Sequence, residues 1–66
     1  MAIPTQEKLL RLPQVRERVT LSTAKIYEMM AKGEFPRPVK ISERNVAWPA
    51  SAVQRWIDEK IAAADA

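Results

Sequence analysis

The apolar positions of this chain change their spacing as the chain proceeds. Leu12 and Val15 face one side, with Val19 four residues further on, which is a helical spacing. This predicts a first helix over Pro13–Arg18, opened by a proline whose missing N–H costs nothing in a first turn. Ile26, Met29 and Met30 share a second helical face, with Leu21 just outside it. The second helix is predicted over Thr23–Lys32. Ser22 is its N-cap, and Gly33, the sole glycine, is a left-handed C-cap. The intervening Val19–Leu21 is short enough to make a helix-turn-helix. Phe35-Pro36-Arg37-Pro38 then forbids helix, because each proline also restricts the residue before it. Val39-Lys40-Ile41 alternates, Val46 and Trp48 share one face, and polar Ser42-Glu43-Arg44-Asn45 lies between, so a β-hairpin is predicted. Val53, Trp56, Ile57 and Ile61 form the stripe of a third helix. Pro49 suits its first turn, or Ser51 and Gln54 form a capping box if it starts later.

The expected fold is mainly α with a small β-hairpin: a winged helix-turn-helix in the order helix, turn, helix, hairpin wing, helix. Residues 1–66 make one domain with an ordered core at about 10–63. Residues 1–9 are expected to be loose and 64–66 to fray. A chain this short has little core to spare, and two tryptophans supply a large share of it. They are read as packing together between hairpin and third helix rather than as base-stacking platforms.

Composition narrows the chemistry. Histidine and cysteine are both absent, which removes the commonest general base, the commonest metal ligand, disulfides and thiolate zinc sites. One glycine cannot make a glycine-rich phosphate loop, and Ser22 and Ser51 have no histidine to activate them. Adjacent Asp58 and Glu59 diverge on a helix and make no acid/base pair. No enzyme activity, cofactor or metal is expected. Met1–Leu10 shows no leader pattern and nothing approaches a membrane span, so a cytoplasmic protein is expected.

Net charge is only +3, but it is unevenly placed. Lys8 to Arg55 holds ten basic residues against four acidic ones, while the last eleven residues carry a net −2. A basic body points to a polyanionic partner, double-stranded DNA being the obvious one. The second helix is the natural recognition helix, offering Ser22, Thr23, Lys25, Tyr27, Glu28 and Lys32. Lysine donates to guanine, threonine meets a base or a thymine methyl, and glutamate accepts from cytosine. The alternative is a plain solvated face, and the helix carries no arginine. Tyr27 fits either the core or a rim position with its hydroxyl on a phosphate. The wing offers Arg37, Lys40, Arg44 and Asn45, with Glu43 opposing them at the tip.

Arg11-Leu12, Val15, Leu21-Ser22, Ile26-Tyr27, Gly33, Phe35-Pro36, Pro38-Val39-Lys40, Arg44, Trp48 and Trp56-Ile57 together resemble the AlpA family of phage and prophage regulators. Phe35–Lys40 also resembles phage excisionases, and the layout resembles the DNA-binding part of MerR regulators. The resemblance runs from about residue 11 to 61. It implies a DNA-binding protein of a mobile element in a bacterial cytoplasm, acting as an excisionase (a recombination directionality factor) through cooperative binding and bending of DNA near an attachment site. Further copies side by side on DNA, and an integrase, are the partners it implies. A transcriptional regulator of integrase or prophage genes is the alternative, and a protein-binding inhibitor on the same scaffold a third. The family usually has glycine where Thr20 stands, arginine where Thr23 stands, often a basic residue where Glu28 stands, and a glycine in the wing turn, where Ser42, Glu43 and Asn45 serve here.

Overall fold

The computed structural model describes residues 7–65. Their order is β1 (Leu9–Leu10), α1 (Leu12–Val19), α2 (Thr23–Ala31), β2 (Val39–Ser42), β3 (Asn45–Pro49) and α3 (Ala50–Asp65). The strands form an antiparallel sheet in the order β1-β3-β2. This is the expected helix-turn-helix followed by a hairpin wing and a closing helix, with one strand added. The core is a single cluster of Leu10, Val15, Val19, Ile26, Phe35, Trp48 and Val53, with Trp56, Ile57, Met29 and Met30 packed against it.

The predicted caps form where their signals are local. Ser22 Oγ accepts from the Lys25 backbone N–H at 3.1 Å, satisfying one orphan donor of α2. At the far end Gly33 adopts φ 73°. Its N–H donates to the Met30 carbonyl at 3.1 Å, and that of Glu34 to Met29 at 2.8 Å, the paired bonds of a Schellman turn. α1 opens with the Gln14 side chain accepting from the Arg11 N–H at 2.9 Å. It closes on Thr20 at φ 59°, a left-handed conformation unusual for a β-branched residue. The Thr20 N–H donates to Arg16 and its hydroxyl to the Val19 carbonyl, at 2.8 and 2.6 Å. The turn from α1 to α2 is thus three residues, Thr20 to Ser22.

Four expectations need correction, the first two because a distant partner intervenes. Residues 7–9 are not loose. Leu9 and Leu10 pair with Pro49 and Trp48, and the Lys8 carbonyl accepts from the Ala50 N–H at 2.8 Å; residues 1–6 lie outside the described residues. The start of α3 is not held by a Ser51–Gln54 box. The Glu7 carboxylate accepts from both the backbone N–H and the hydroxyl of Ser51, while Gln54 bonds Asp58. Glu7 thus places a negative group at the positive end of a 16-residue helix. Finally, α3 does not fray at residue 64 but runs through Asp65, with Ala66 outside the described residues. Its outer end overhangs the core, so Ile61 is 57% exposed rather than part of the buried stripe.

Trp48 is a core residue, as expected, Trp56 is half-buried against that core with its ring on Phe35, and each also carries a polar task. Trp48 is fully buried and its indole N–H donates to the Pro36 carbonyl at 2.9 Å. Trp56 meets Phe35 edge to face, centroids 5.1 Å apart, and donates to the Glu34 carbonyl at 2.9 Å. Both therefore hold the proline segment joining α2 to the wing.

Two backbone positions yield opposite predictions. A left-handed L-residue costs about 1–2 kcal/mol. Glycine gives back about 0.5–1 kcal/mol of that as unfolded-state flexibility. Thr20→Gly is therefore expected to stabilise by about 0.5–1 kcal/mol in urea denaturation. Gly33→Ala is expected to destabilise by about 1 kcal/mol, through backbone strain alone, since nothing lies within 4 Å of the added carbon. Destabilisation by Thr20→Gly would contradict the left-handed turn.

The Glu7 carboxyl is held below the ordinary glutamate value by the Ser51 hydroxyl and backbone N–H. The unfolded chain then binds more protons in the acid range than the folded one. This contribution is complete above the ordinary glutamate value and is lost as pH falls through the lowered one. Glu7→Gln is expected to lower the Tm at neutral pH and to reduce its fall on acidification; a pH–Tm curve identical to wild type would contradict the role given to Glu7.

Candidate nucleic-acid interface

α2 sets its buried face with Ile26, flanked by half-buried Met29 and Met30 against the core. At 100° per residue the opposite face is centred on Ala24, Glu28 and Ala31, with Lys25 and Lys32 on one flank and Tyr27 on the other. All six are exposed. Tyr27 is 48% exposed, which places its ring outside the core. Two alanines keep the middle of this face low. Thr23 is half-buried on the Met30 side, and the Ser22 hydroxyl is already engaged as the cap.

The charges on this face are tied together. Lys25 Nζ lies 2.8 Å from Glu28 Oε2, and Lys32 Nζ lies 3.9 Å from the same oxygen. Lys25, by hydrogen bond and charge, and then Lys32 hold the Glu28 carboxyl below its ordinary value, while Glu28 raises Lys25. These are exposed pairs, of small consequence for stability. Their effect is on what the helix presents: two lysines and one glutamate that act as a unit.

Strand register assigns the wing side chains to faces. Leu10 pairs with Trp48, both buried, so that face of β3 is turned to the helices. Lys40 pairs with exposed Val46, two residues further along the same face, so Lys40 projects on the helix side of the wing. Leu9, Pro49, Ala47 and Val39 occupy the outer face. There the Arg11 guanidinium donates to Asn45 Oδ1 at 3.0 Å, and Asn45 in turn donates to Ser42 Oγ at 2.8 Å. Ser42 pairs with Asn45 after a bulge that takes in Ile41, leaving Glu43-Arg44 as the tip. Arg37 stands exposed between half-buried Pro36 and Pro38. No carboxylate lies within ion-pair distance of Arg37, Lys40 or Arg44 among the described residues.

The α2 residues predicted as a recognition face thus share one continuous exposed face apart from Ser22 and Thr23, and Lys40 lies on the helix side of the wing. Asn45 is committed to Ser42 and Arg11, and works as a brace. No group of three or more metal-ligating side chains occurs among the described residues, nor a helix long and apolar enough to cross a membrane.

Residues 8–61 match the family described as Prophage CP4-57 regulatory protein (AlpA). The chain belongs to the AlpA family of phage regulatory proteins. It is 47% identical over 58 residues to an uncharacterized protein, ORF88, of Enterobacteria phage P4, covering 88% of this chain and 66% of that protein's length. The chain therefore spans just under two thirds of that relative. The glycine usual in AlpA proteins at the position of Thr20 has a physical reason here, because the residue there sits at φ 59°.

Two residues of the framework escaped the sequence reading. Arg11, adjacent to α1, braces the wing through Asn45, 34 residues away. Glu7 caps a helix 44 residues away. Arg11 stands at the head of the family pattern, which was its only signal; Glu7 precedes that pattern and had none.

Proposed function

We propose that this chain is a sequence-preferring double-stranded DNA-binding protein of a mobile element. The observation that carries the reading is an exposed α2, entered by a three-residue turn and followed in the chain by a wing whose Arg37, Lys40 and Arg44 have no carboxylate partner among the described residues. Unpaired cations on a hairpin are held in place without being neutralised, which favours phosphate as their partner. α2 enters the major groove with Lys25, Tyr27, Glu28 and Lys32 toward it and with Ser22 and Thr23 at its N-terminal end. Arg37, Lys40 and Arg44 lie along the backbone or the adjacent minor groove, with Asn45 bracing the wing beside them.

The role that fits is an excisionase, or recombination directionality factor, binding near an attachment site in the cytoplasm of a bacterial host. With extents of 37 × 31 × 20 Å, one copy spans about one turn of duplex, roughly 34 Å. Single modules bury only about 600–1,000 Å² of protein surface on DNA. Several copies side by side supply the remainder. The exposed Arg16 and Arg18 of α1 and the acidic Asp58, Glu59 and Asp65 of α3 give a head-to-tail contact, which does not close and so extends along and bends DNA. An integrase is the expected further partner.

The word regulatory in the family description supports a second reading, transcriptional control of integrase or prophage genes. A protein-binding inhibitor is supported by the exposed apolar Leu9, Val39 and Ile41 on β1 and β2. Excision of the element with and without the protein separates the first two. Lys40→Ala with Arg44→Ala separates both from the third. DNA affinity is expected to fall on all sequences alike, with the salt slope flattened by about 0.9 per lost phosphate contact. A slope equal to wild type would remove the wing from the interface.

A further inference from the structure

Among the charged side chains of the recognition helix, Glu28 is the one a DNA-binding surface has least reason to keep. It stands at the centre of the exposed face of α2 and is repelled by phosphate. Its geometry gives it a use. Both lysines address the same oxygen, Oε2, at 2.8 and 3.9 Å. Oε1 accepts no hydrogen bond among the described residues. An ionised carboxylate has about four acceptor sites, so one oxygen is anchored and the other is open. Ala24 and Ala31, one turn to either side, leave the approach to it unobstructed.

Resting on the DNA-binding reading above, we propose that Glu28 is a specificity-determining residue that makes α2 select a C·G base pair and disfavour other duplex. Oε1 is an acceptor without a donor, and cytosine N4 is the major-groove donor whose partner base presents only acceptors. Lys25 keeps further N–H donors after bonding Oε2, Lys32 stands at ion-pair distance with its donors free, and guanine O6 and N7 across the same pair accept them. One anion flanked by two cations therefore matches one C·G pair: acceptor to cytosine, donors to guanine. At A·T the adenine N6 amine also donates, but thymine offers one carbonyl and a methyl, so the lysines lose the bidentate acceptor. On DNA without the matching pair, Glu28 still neutralises one lysine, and the three residues present a single net positive charge instead of two. Glu28 thus lowers the sequence-independent affinity that would otherwise spread the protein over non-cognate DNA.

The test uses the full chain and its Glu28→Gln variant in two measurements. The first is selection from a duplex library with a randomised centre. The second is titration of poly(dA)·poly(dT), which contains no C·G pair. Gln keeps an acceptor and the side-chain shape but removes the charge. Wild type is expected to fix a C·G pair at one position. Glu28→Gln should lose about tenfold in discrimination at that position while keeping the other selected positions. On poly(dA)·poly(dT) the variant should bind more tightly, with a salt slope steeper by about 0.9. Selection of the same C·G pair by both proteins, with equal affinity for poly(dA)·poly(dT), would overturn the role of Glu28 and leave DNA binding intact. Wild type enriching no sequence and ignoring both duplexes would overturn the DNA-binding reading itself.

Discussion

The arrangement of this small protein depends on two indole N–H groups closing on one short segment. Trp48 donates to Pro36 and Trp56 to Glu34, each at 2.9 Å. That segment joins the end of α2 to the start of the wing. Without cysteine, nothing covalent holds the two elements in a fixed relation. The prolines prevent the segment from continuing α2, and the Schellman turn at Gly33 ends the helix at a set angle. The tryptophans then fasten it to β3 and α3. A buried indole whose N–H is satisfied combines large apolar burial with a directional bond, which a small core otherwise lacks.

The same economy explains the use of charge. Two carboxylates cap or tether, Glu7 at α3 and Glu28 on α2. The wing cations are left without them. Arg11 is the basic residue turned to support: it lies along the outer sheet face and fixes Asn45, which fixes Ser42 at the base of the turn. A β-hairpin alone is marginal in water. This one is held by β1 at its base and by Arg11 near its tip.

What the sequence reveals follows the range of the interaction. Ser22, Gly33, the proline segment and the hairpin turn are all legible, because each signal lies within a few residues of the structure it makes. The division of α2 into a buried and an exposed face is legible for the same reason, through helical periodicity. β1, the Glu7 cap and the Arg11 brace are not, since each needs a partner 34 to 44 residues away, and two-residue Leu9–Leu10 has no periodicity of its own. Ile61 misleads in the other direction. Its spacing is right, but the helix has left the core by the time it is reached. Thr20 itself gives no sign of its left-handed backbone, which only the glycine usual at that position in the family marks. The pairing of both lysines on one oxygen of Glu28 is a matter of rotamers, which spacing alone does not fix.

The proposed DNA binding requires α2 and the wing tip to meet one duplex together. Backbone amide NMR of the full chain, titrated with its own attachment-region duplex, tests this directly. The expected result is shifts concentrated at Ser22–Lys32, Arg37, Lys40 and Glu43–Asn45, with the α3 end following only when several copies fill the DNA. Shifts confined to α3 or to the outer sheet face, or none at low salt, would contradict it.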